Sequence, residues 1–212
     1  MKYVRKFLGE FRKTSVFSTA DVRRFLVSEG ASPTYALVFI NSMIRRGKAF
    51  CLAKGIYTLY RDIEVAGFAF SPFYYGLGFA LTKHRLWKQQ ANLHVLTTRN
   101  VRRGSRVVLG TNINVSKISK RMFFGYVYVK GANFYYPVSD IEKTLIDCIY
   151  YRFSLEDYVY ESIFAKLDSR KMKVYLRQCS TRVKAGYKNL KEKYSHVASP
   201  SEVARKKNPK MS

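Results

Sequence analysis

The stretch SPTYALVFINSMIRRGKAFCLAKGIYTLY, from Ser32 to Tyr60, begins with the pattern of a helix and ends with the pattern of a hairpin. Ser32 and Pro33 are typical of a helix cap and the first helical residue, and Gly47 is typical of a helix end. Between them, apolar residues recur at helical spacing. They predict a packed face made of Ala36, Leu37, Ile40, Met43 and Ile44.

The second half of this stretch contains two apolar runs, Ala49–Ala53 and Ile56–Tyr60. Lys54-Gly55 separates them, and a glycine in such a pair supplies the positive φ that a tight hairpin turn needs. The pattern therefore predicts a β-hairpin directly after the helix.

The residues before this stretch predict two more helices. Ser18 followed by Asp21 is typical of a capping box that opens a helix, and Gly30 is typical of its end. Met1–Lys13 predicts a further helix in front. Helix, helix, short turn, helix and hairpin is the order of a winged helix-turn-helix, which we predict for residues 1–62.

The side chains outside the packed face of the third helix are small, polar or basic. The major groove of B-DNA accepts one α-helix, in which uncharged side chains reach base edges and basic ones hold phosphates. An ordinary solvated face is the alternative, but exposed Tyr35 and Val38 argue against it. The predicted DNA-binding residues are Ser32, Thr34, Tyr35, Val38, Ser42, Arg45, Arg46, Lys48 and Lys54, of which the last four suit the backbone.

The charge of the chain points to a polyanionic partner. Its 212 residues include 39 Lys and Arg against 14 Asp and Glu, a formal net charge of +25. Residues 1–62 carry 12 basic and 4 acidic side chains, and residues 166–212 carry 14 and 3. DNA, RNA or an anionic membrane surface would match this excess.

The cysteines and the termini predict a cytoplasmic protein. Cys51, Cys148 and Cys179 are odd in number and far apart, which predicts reduced thiols rather than disulfides or a zinc site. The N-terminus carries charges throughout and does not resemble a signal peptide. The tail 196–212 is rich in Ser, Pro and Lys, and a basic disordered segment is predicted there.

One uncharged run of 17 residues, Val65–Leu81, is shorter than the roughly 20 that a membrane helix needs. Ser71-Pro72 interrupts it, and proline is a poor residue for a helix interior. We therefore predict no membrane span but a buried strand, Val65–Phe70, followed by a helix that Ser71 caps.

Residues 63–195 predict a second, mixed α+β domain, so that the whole chain is assigned to the α+β class. Four segments are predicted to be strands: Leu93–Thr98, Val107–Leu109, Phe123–Val129 and Phe134–Val138. Ser139 and Glu142 predict a capping box for the helix that follows. The loops between the strands form a predicted partner or nucleic-acid surface of Arg99, Arg102, Arg103, Arg106, Lys117, Lys120 and Arg121.

No constellation of catalytic residues stands out. Asp140, Glu142 and Lys143 have the wrong spacing for a metal-dependent nuclease, and the histidines have no spaced partners. Phosphate-binding glycine loops and nucleophile elbows are lacking. We therefore predict no enzymatic activity, no cofactor and no bound metal.

Five segments in this order resemble the AbiEi-type antitoxins, the abortive-infection transcriptional regulators of type IV toxin–antitoxin systems. The resemblance covers most of residues 15–180, and each segment is loose by itself. The segments are RRGKAFCLAKGIYTL (45–59), SPFYYGLGFALTKHRLW (71–87), LHVLTTR (93–99), FFGYVYV (123–129) and VSDIEKTLIDCIYY (138–151).

This resemblance implies a two-domain protein with two roles. The winged helix-turn-helix would bind inverted repeats of double-stranded DNA near its own promoter and repress transcription. The second domain would neutralise a cognate nucleotidyltransferase-like toxin. Two alternatives stay open: a general basic nucleic-acid-binding protein without an antitoxin role, and a nuclease.

Overall fold

The computed structural model describes residues 3–194 and 197, and its fold is α+β. The predicted tail 196–212 lies outside the described residues, except for Val197. The first part of the chain forms three helices and three short strands. They are α1 (Val4–Phe11), β1 (Phe17–Ser18), α2 (Thr19–Ser28), α3 (Tyr35–Arg45), β2 (Phe50–Ala53) and β3 (Ile56–Thr58).

The three strands form one small antiparallel sheet in the order β1-β3-β2. The predicted hairpin is confirmed: Phe50 pairs with Thr58, and Gly55 takes a φ of +77° in the turn. Ser18 pairs with Ile56, so β1 ties the start of α2 to the hairpin.

Local signals determine where α2 and α3 begin and end. The capping box of Ser18 and Asp21 is confirmed, because each residue's side chain bonds the backbone N–H of the other. Gly30 and Gly47 follow the two helices with φ of +79° and +65°. After each glycine the next residue's N–H bonds a carbonyl five residues back, as in the Schellman motif. The interhelical turn is therefore short and fixed.

The start of α3 differs from the prediction. Ser32 and Pro33 lie in a turn before the helix, and Thr34 occupies the cap position instead. The Ser32 hydroxyl nevertheless accepts a hydrogen bond from the Thr34 N–H at 3.4 Å, the contact that a capping serine makes to the second residue after it. Serine side chains that bond nearby backbone groups favour turns over helical geometry.

Phenylalanines fill the core beneath these helices. Phe7 is fully buried and contacts four other rings at centroid distances of 4.5–5.4 Å, those of Phe11, Phe17, Phe25 and Phe39. The predicted packed face of α3 was wrong at one position. Phe39 is buried where the prediction had Leu37, and Leu37 is 54% exposed. The run ALVFI permits either phase, and the larger ring gains more by burial.

The second part of the chain surrounds a larger sheet. Two 3-10 helices, Ile63–Phe70 and Lys120–Met122, accompany its strands and helices. The strands are β4 (Phe73–Tyr75), β5 (His94–Thr97), β6 (Gly104–Val108), β7 (Thr111–Lys117), β8 (Tyr126–Lys130) and β9 (Tyr135–Ser139). The helices are α4 (Leu77–Lys83), α5 (Ile141–Tyr151), α6 (Asp157–Lys166), α7 (Ser169–Leu176) and α8 (Thr181–Lys193).

The six strands run in the order β6-β7-β5-β4-β9-β8. β4 pairs with β9 and β5 with β7 in parallel, and the other neighbours are antiparallel. Tyr74 and Leu96 face a core built with α4–α8, whereas Phe73, Tyr75 and Val95 face a second core that includes the helix Ile63–Phe70. The sheet is therefore covered on both sides.

The interpretation of Val65–Leu81 was wrong in its elements. Val65–Phe70 belongs to a 3-10 helix rather than a strand, and Ser71 precedes β4 rather than capping a helix. All three residues of β4 are buried, so this strand shows no alternation of apolar and polar residues. Among the described residues, no helix is both long and apolar enough to cross a membrane.

The cap of α5 also differs from the prediction. Asp140, not Ser139, caps the helix, and its carboxylate accepts the Lys143 N–H at 2.8 Å. The Glu142 carboxylate does not reach back to the cap but accepts the Asp168 N–H at 2.8 Å, at the start of α7. The Asp140 carboxylate also meets one cation of α7, Lys171, at 3.0 Å, which stabilises the carboxylate at this position.

Side chains from the hairpin connect the first part of the chain to the large sheet. Leu52 of β2 is buried in the core that contains Phe73 and Tyr75. The Tyr60 ring lies 5.5 Å from that of Phe134, between centroids. The Asn133 amide also donates to Asp62 at 2.8 Å. The hairpin is therefore anchored along its length, and the predicted boundary at residue 62 lies within this contact region.

Candidate nucleic-acid interface

One side of α3 faces away from the phenylalanine core. With about 100° between successive residues of a helix, Thr34, Leu37, Val38, Asn41 and Arg45 fall on this side, and all five are exposed. We call these five residues the outer face of α3. Its first two turns carry no charge, and the first cation comes at Arg45, near the helix end.

The turn that leads into α3 is held by polar side chains. The hydroxyls of Ser32 and Thr34 lie 2.7 Å apart, and both residues are exposed. The predicted DNA-binding residues Ser32 and Thr34 therefore stand together at the amino end of the helix. The peptide dipoles of a helix place partial positive charge at this end, which favours an anion nearby.

Two predicted base-reading residues lie at the margin of this face. Tyr35 is only half-exposed, and its ring packs 6.1 Å from that of Phe39 between centroids. Ser42 is half-buried as well. Val38, by contrast, is 57% exposed at the centre of the outer face.

The cations at the carboxyl end of α3 are fully available. Arg45, Arg46 and Lys48 are exposed, and no ion pair or side-chain hydrogen bond engages them within residues 3–194. The nearest acids along the chain on either side bind other groups: Glu29 pairs with Lys6 at 2.6 Å, and Asp62 accepts the Asn133 amide at 2.8 Å. These three charges therefore face solvent without internal neutralisation.

Lys54 lies in the turn at the tip of the hairpin, between β2 and β3. The adjacent Gly55 carbonyl accepts the Thr19 N–H at 3.1 Å. The structure therefore brings Lys54, which is exposed, beside the first turn of α2.

Sequence reasoning missed two members of the outer face, Leu37 and Asn41. Predicting Leu37 as buried rotated the expected orientation of the helix, so that Asn41 was not predicted on its exposed side. The signal that could have found both is Phe39: once its ring is placed in the core, the outer face is centred on Val38 and Asn41.

A second set of predicted cations lies on β6, at the end of β7 and in the segments that follow β5 and β7. We call it the sheet-edge surface, and it consists of the predicted residues Arg99, Arg102, Arg103, Arg106, Lys117, Lys120 and Arg121. β6 is the edge strand, and no acidic residue occurs between Arg99 and Arg121.

Several cations of this surface bond the protein itself. Arg99 donates to the Ala69 carbonyl at 2.8 Å, and Arg106 donates to the Arg102 carbonyl at 2.7 Å. Lys117 donates to the Asn100 side chain at 3.1 Å. The Arg103 guanidinium lies 5.9 Å from the centre of the Tyr151 ring. These groups stabilise loops as well as adding charge.

A buried ion pair lies within α5. Lys143 and Asp147, one turn apart on α5, are both fully buried and bonded to each other. Tyr74 of β4 donates to Asp147 at 2.9 Å, and the Lys143 ammonium lies 4.9 Å from the centre of the Phe124 ring. Burial raises the pKa of Asp147, and the adjacent ammonium opposes this shift.

The acids at the start of α5 form a second network at its surface. The Lys171 ammonium contacts Asp140 at 3.0 Å and Glu142 at 3.2 Å. The Tyr175 hydroxyl donates to Asp140 at 2.8 Å. Partial burial lowers the pKa of Lys171, but the two carboxylates outweigh it and hold that pKa above its ordinary value. Both acids therefore have structural partners.

The histidines and cysteines are dispersed. His84 donates to the Ser139 carbonyl at 2.7 Å, and the His94 ring lies 2.9 Å from the Ser116 hydroxyl. Burial, assisted by Arg103, lowers the pKa of His94 to about 4. All three cysteines are free thiols. Within residues 3–194, no three His, Cys, Asp or Glu side chains are placed to hold one metal ion.

Comparisons with known proteins bear on the fold. No protein-family model matches the sequence, and no curated protein matches it. The chain is similar to the crystal structure of the RV2827C protein from Mycobacterium tuberculosis, with a TM-score of 0.61 and 12% identity. The similarity covers 95% of this chain and 78% of that one. At this identity it shows a shared fold across both parts of the chain.

Proposed function

We propose that residues 1–62 are a winged helix-turn-helix and that the chain is a DNA-binding transcriptional regulator. In this proposal α3 enters the major groove, with its outer face toward the base edges. Arg45, Arg46 and Lys48 hold phosphates on either side of the groove. The observation that supports this proposal most strongly is the arrangement of α3. Its exposed, uncharged face ends in cations that have no internal partner among the described residues.

The short turn at Gly30 supports this geometry. It fixes α2 against α3, so that α2 can lie across the phosphate backbone while α3 lies in the groove. Lys54, at the hairpin tip beside the start of α2, supplies a further contact to the backbone. Each part is held by backbone hydrogen bonds, so little order has to be created on binding.

Fluorescence anisotropy with the full chain tests the proposal. The probe is a labelled duplex from upstream of the chain's own gene, and the control is a scrambled duplex of equal composition. A specific regulator binds its site about 1,000-fold or more tightly than the control. Equal affinity for both duplexes would support the general basic protein instead and would contradict the proposal.

The antitoxin role is the second part of the proposal, and it rests on the resemblance to AbiEi-type antitoxins. The position of one resembling segment supports this role. VSDIEKTLIDCIYY forms the end of β9 and all of α5, in the second part of the chain. Leu145 and Ile146 of this helix are fully buried in the core made with α4 and α6–α8. The second part of the chain therefore has a core separate from the phenylalanine core, which supports a division of the two roles between the two parts.

Separation of the two roles tests this part. The full chain and its Arg45→Ala/Arg46→Ala variant are each co-expressed with a nucleotidyltransferase encoded beside the gene. Because the substituted residues lie outside the second core, both chains should restore growth equally, while only the first represses a promoter reporter. Failure of both chains to restore growth would remove the antitoxin role and leave the regulator.

A further inference from the structure

The outer face of α3 has a chemical composition that selects among base pairs. Leu37 and Val38 are 54% and 57% exposed, and neither belongs to the cluster that packs beneath the helix. Asn41 lies three and four residues further along, within reach of both on a helical surface. Two aliphatic side chains and one amide therefore form the centre of this face.

Each of these groups has a preferred partner in the major groove. An asparagine amide pairs with N6 and N7 of adenine through two hydrogen bonds, and apolar side chains contact the C5-methyl group of thymine. Guanine is read by Arg or Lys and cytosine by an acid. α3 contains no acid, and its first cation, Arg45, comes one turn after Asn41.

We infer that α3 reads a half-site whose central base pairs are A·T. Asn41 bonds an adenine, and Leu37 and Val38 contact thymine methyl groups on the neighbouring pairs. This inference rests on the proposed function and specifies the class of sequence that the regulator recognises.

Charge favours DNA over a second copy of the chain on this face. Arg45, Arg46 and Lys48 follow Asn41 at the carboxyl end of the helix and would repel the same residues of another copy. A stable protein interface also buries about 800 Å² on each partner, which is far more than two aliphatic side chains and an amide provide. Duplex DNA offers phosphates to the cations and thymine methyl groups to the two aliphatic side chains.

Selection from a pool of random duplexes with the full chain, followed by binding assays on the selected site, tests the inference. We expect a recurring site with A·T pairs at its centre. Replacing the central thymines by uracil removes only the methyl groups and should weaken binding about 3- to 10-fold. Asn41→Ala should reduce the preference for the adenine about 5- to 150-fold, the value of one good bidentate contact.

The matched control is Asn92→Ala, an exposed asparagine in the segment before β5 that should leave selection unchanged. A selected site with a G·C centre, or one insensitive to uracil and to Asn41→Ala, would overturn this inference while the proposed function stands. A pool that yields no recurring site would overturn both this inference and the proposed function, because binding without sequence preference is what a general basic protein shows. Absence of any duplex binding would overturn the proposed function itself. If the full chain forms dimers and Leu37→Lys dissociates them, a second copy of the chain covers the outer face of α3 instead of DNA.

Discussion

The carboxyl end of α3 and the sheet-edge surface are both rich in arginine and lysine, and both lie in stretches without an acidic residue. At α3, Arg45, Arg46 and Lys48 are exposed and have no partner within the described residues. At the sheet edge, Arg99 and Arg106 donate to backbone carbonyls of the protein itself. A high positive charge therefore does not by itself mean that the cations are available for a phosphate.

This difference affects DNA binding because a contact to a phosphate replaces the hydrogen bonds that the cation made before. A guanidinium that already bonds a carbonyl loses that bond, or shares it, when it turns to DNA. An exposed cation with no partner loses only hydration and releases counterions from the duplex. The α3 cations should therefore dominate binding, and the sheet-edge cations should contribute to folding as well.

Lys143 is the extreme case of a cation used internally, and its loss should have the largest effect. Lys143→Met leaves the Asp147 carboxyl buried without its ammonium partner, so the free energy of unfolding should fall by about 3–5 kcal/mol. Urea unfolding of the full chain measures it. Lys120→Met, at an exposed lysine, is the control and should change stability by no more than about 0.5 kcal/mol. A Lys143→Met loss under about 1 kcal/mol would contradict the structural role of the pair.

Loss of the available cations should have the next largest effect, on binding rather than stability. Arg45→Ala/Arg46→Ala should weaken duplex binding about 10- to 100-fold near 0.1 M salt. Because two phosphate contacts are lost, the slope of log K against log salt should fall by about 2. Anisotropy titrations at several salt concentrations measure both quantities.

The sheet-edge pair Arg99→Ala/Arg106→Ala, whose guanidinium groups both donate to backbone carbonyls, is the matched control for that experiment. It removes the same charge, and we expect less than about a threefold loss of affinity. A larger loss than that of the α3 pair would reverse the comparison and assign the duplex to the sheet edge.

His94, beneath the sheet-edge surface, should make stability depend on pH. Its folded-state pKa is about 4 because it is buried, whereas an exposed histidine has a pKa near 6.5. Between these values the unfolded chain binds a proton that the folded chain does not, so stability is full above pH 6.5 and falls on acidification. From pH 7 to 5 the loss due to this residue is about 2 kcal/mol. Denaturation curves of the wild type and of His94→Gln at pH 7 and pH 5 measure this loss, and the variant should lack the part due to His94. The same pH dependence in both chains would show that the imidazole is not buried.

The smallest effect concerns Arg103, whose charge assists burial in lowering the pKa of His94. Arg103→Gln should raise that pKa by a fraction of a unit, because a positive charge near the imidazole disfavours its protonated form. NMR titration of the ring protons measures the shift. An unchanged pKa would mean that Arg103 points away from the domain and is as available as Arg45.

Local signals in the sequence predicted the first part of the chain well. Gly30, Gly47 and Gly55 each adopt a positive φ, which few other residues tolerate. The Ser18 capping box depends on residues three apart. Such features need no knowledge of distant contacts, and they place α2, α3 and the hairpin within a few residues.

Errors arose where distant packing decides between local options. Five apolar residues in a row allow two phases for α3, and only the phenylalanine core selects Phe39 over Leu37. Phe73–Tyr75 reads as part of a helix until β5 and β9 are known to pair with it. The internal partners of Arg99 and Lys143 likewise come from other elements, so a count of basic residues could not separate available charges from engaged ones.

The most direct test of the central claim is an NMR titration of the full chain with the duplex that it selects. Backbone amide signals should change mainly from Thr34 to Lys48 and at Lys54, and Arg45→Ala/Arg46→Ala should require a higher duplex concentration to produce the same changes. Signal changes centred on Arg99–Arg121 instead, or the same changes with any scrambled duplex, would contradict the claim that α3 is the surface that reads DNA.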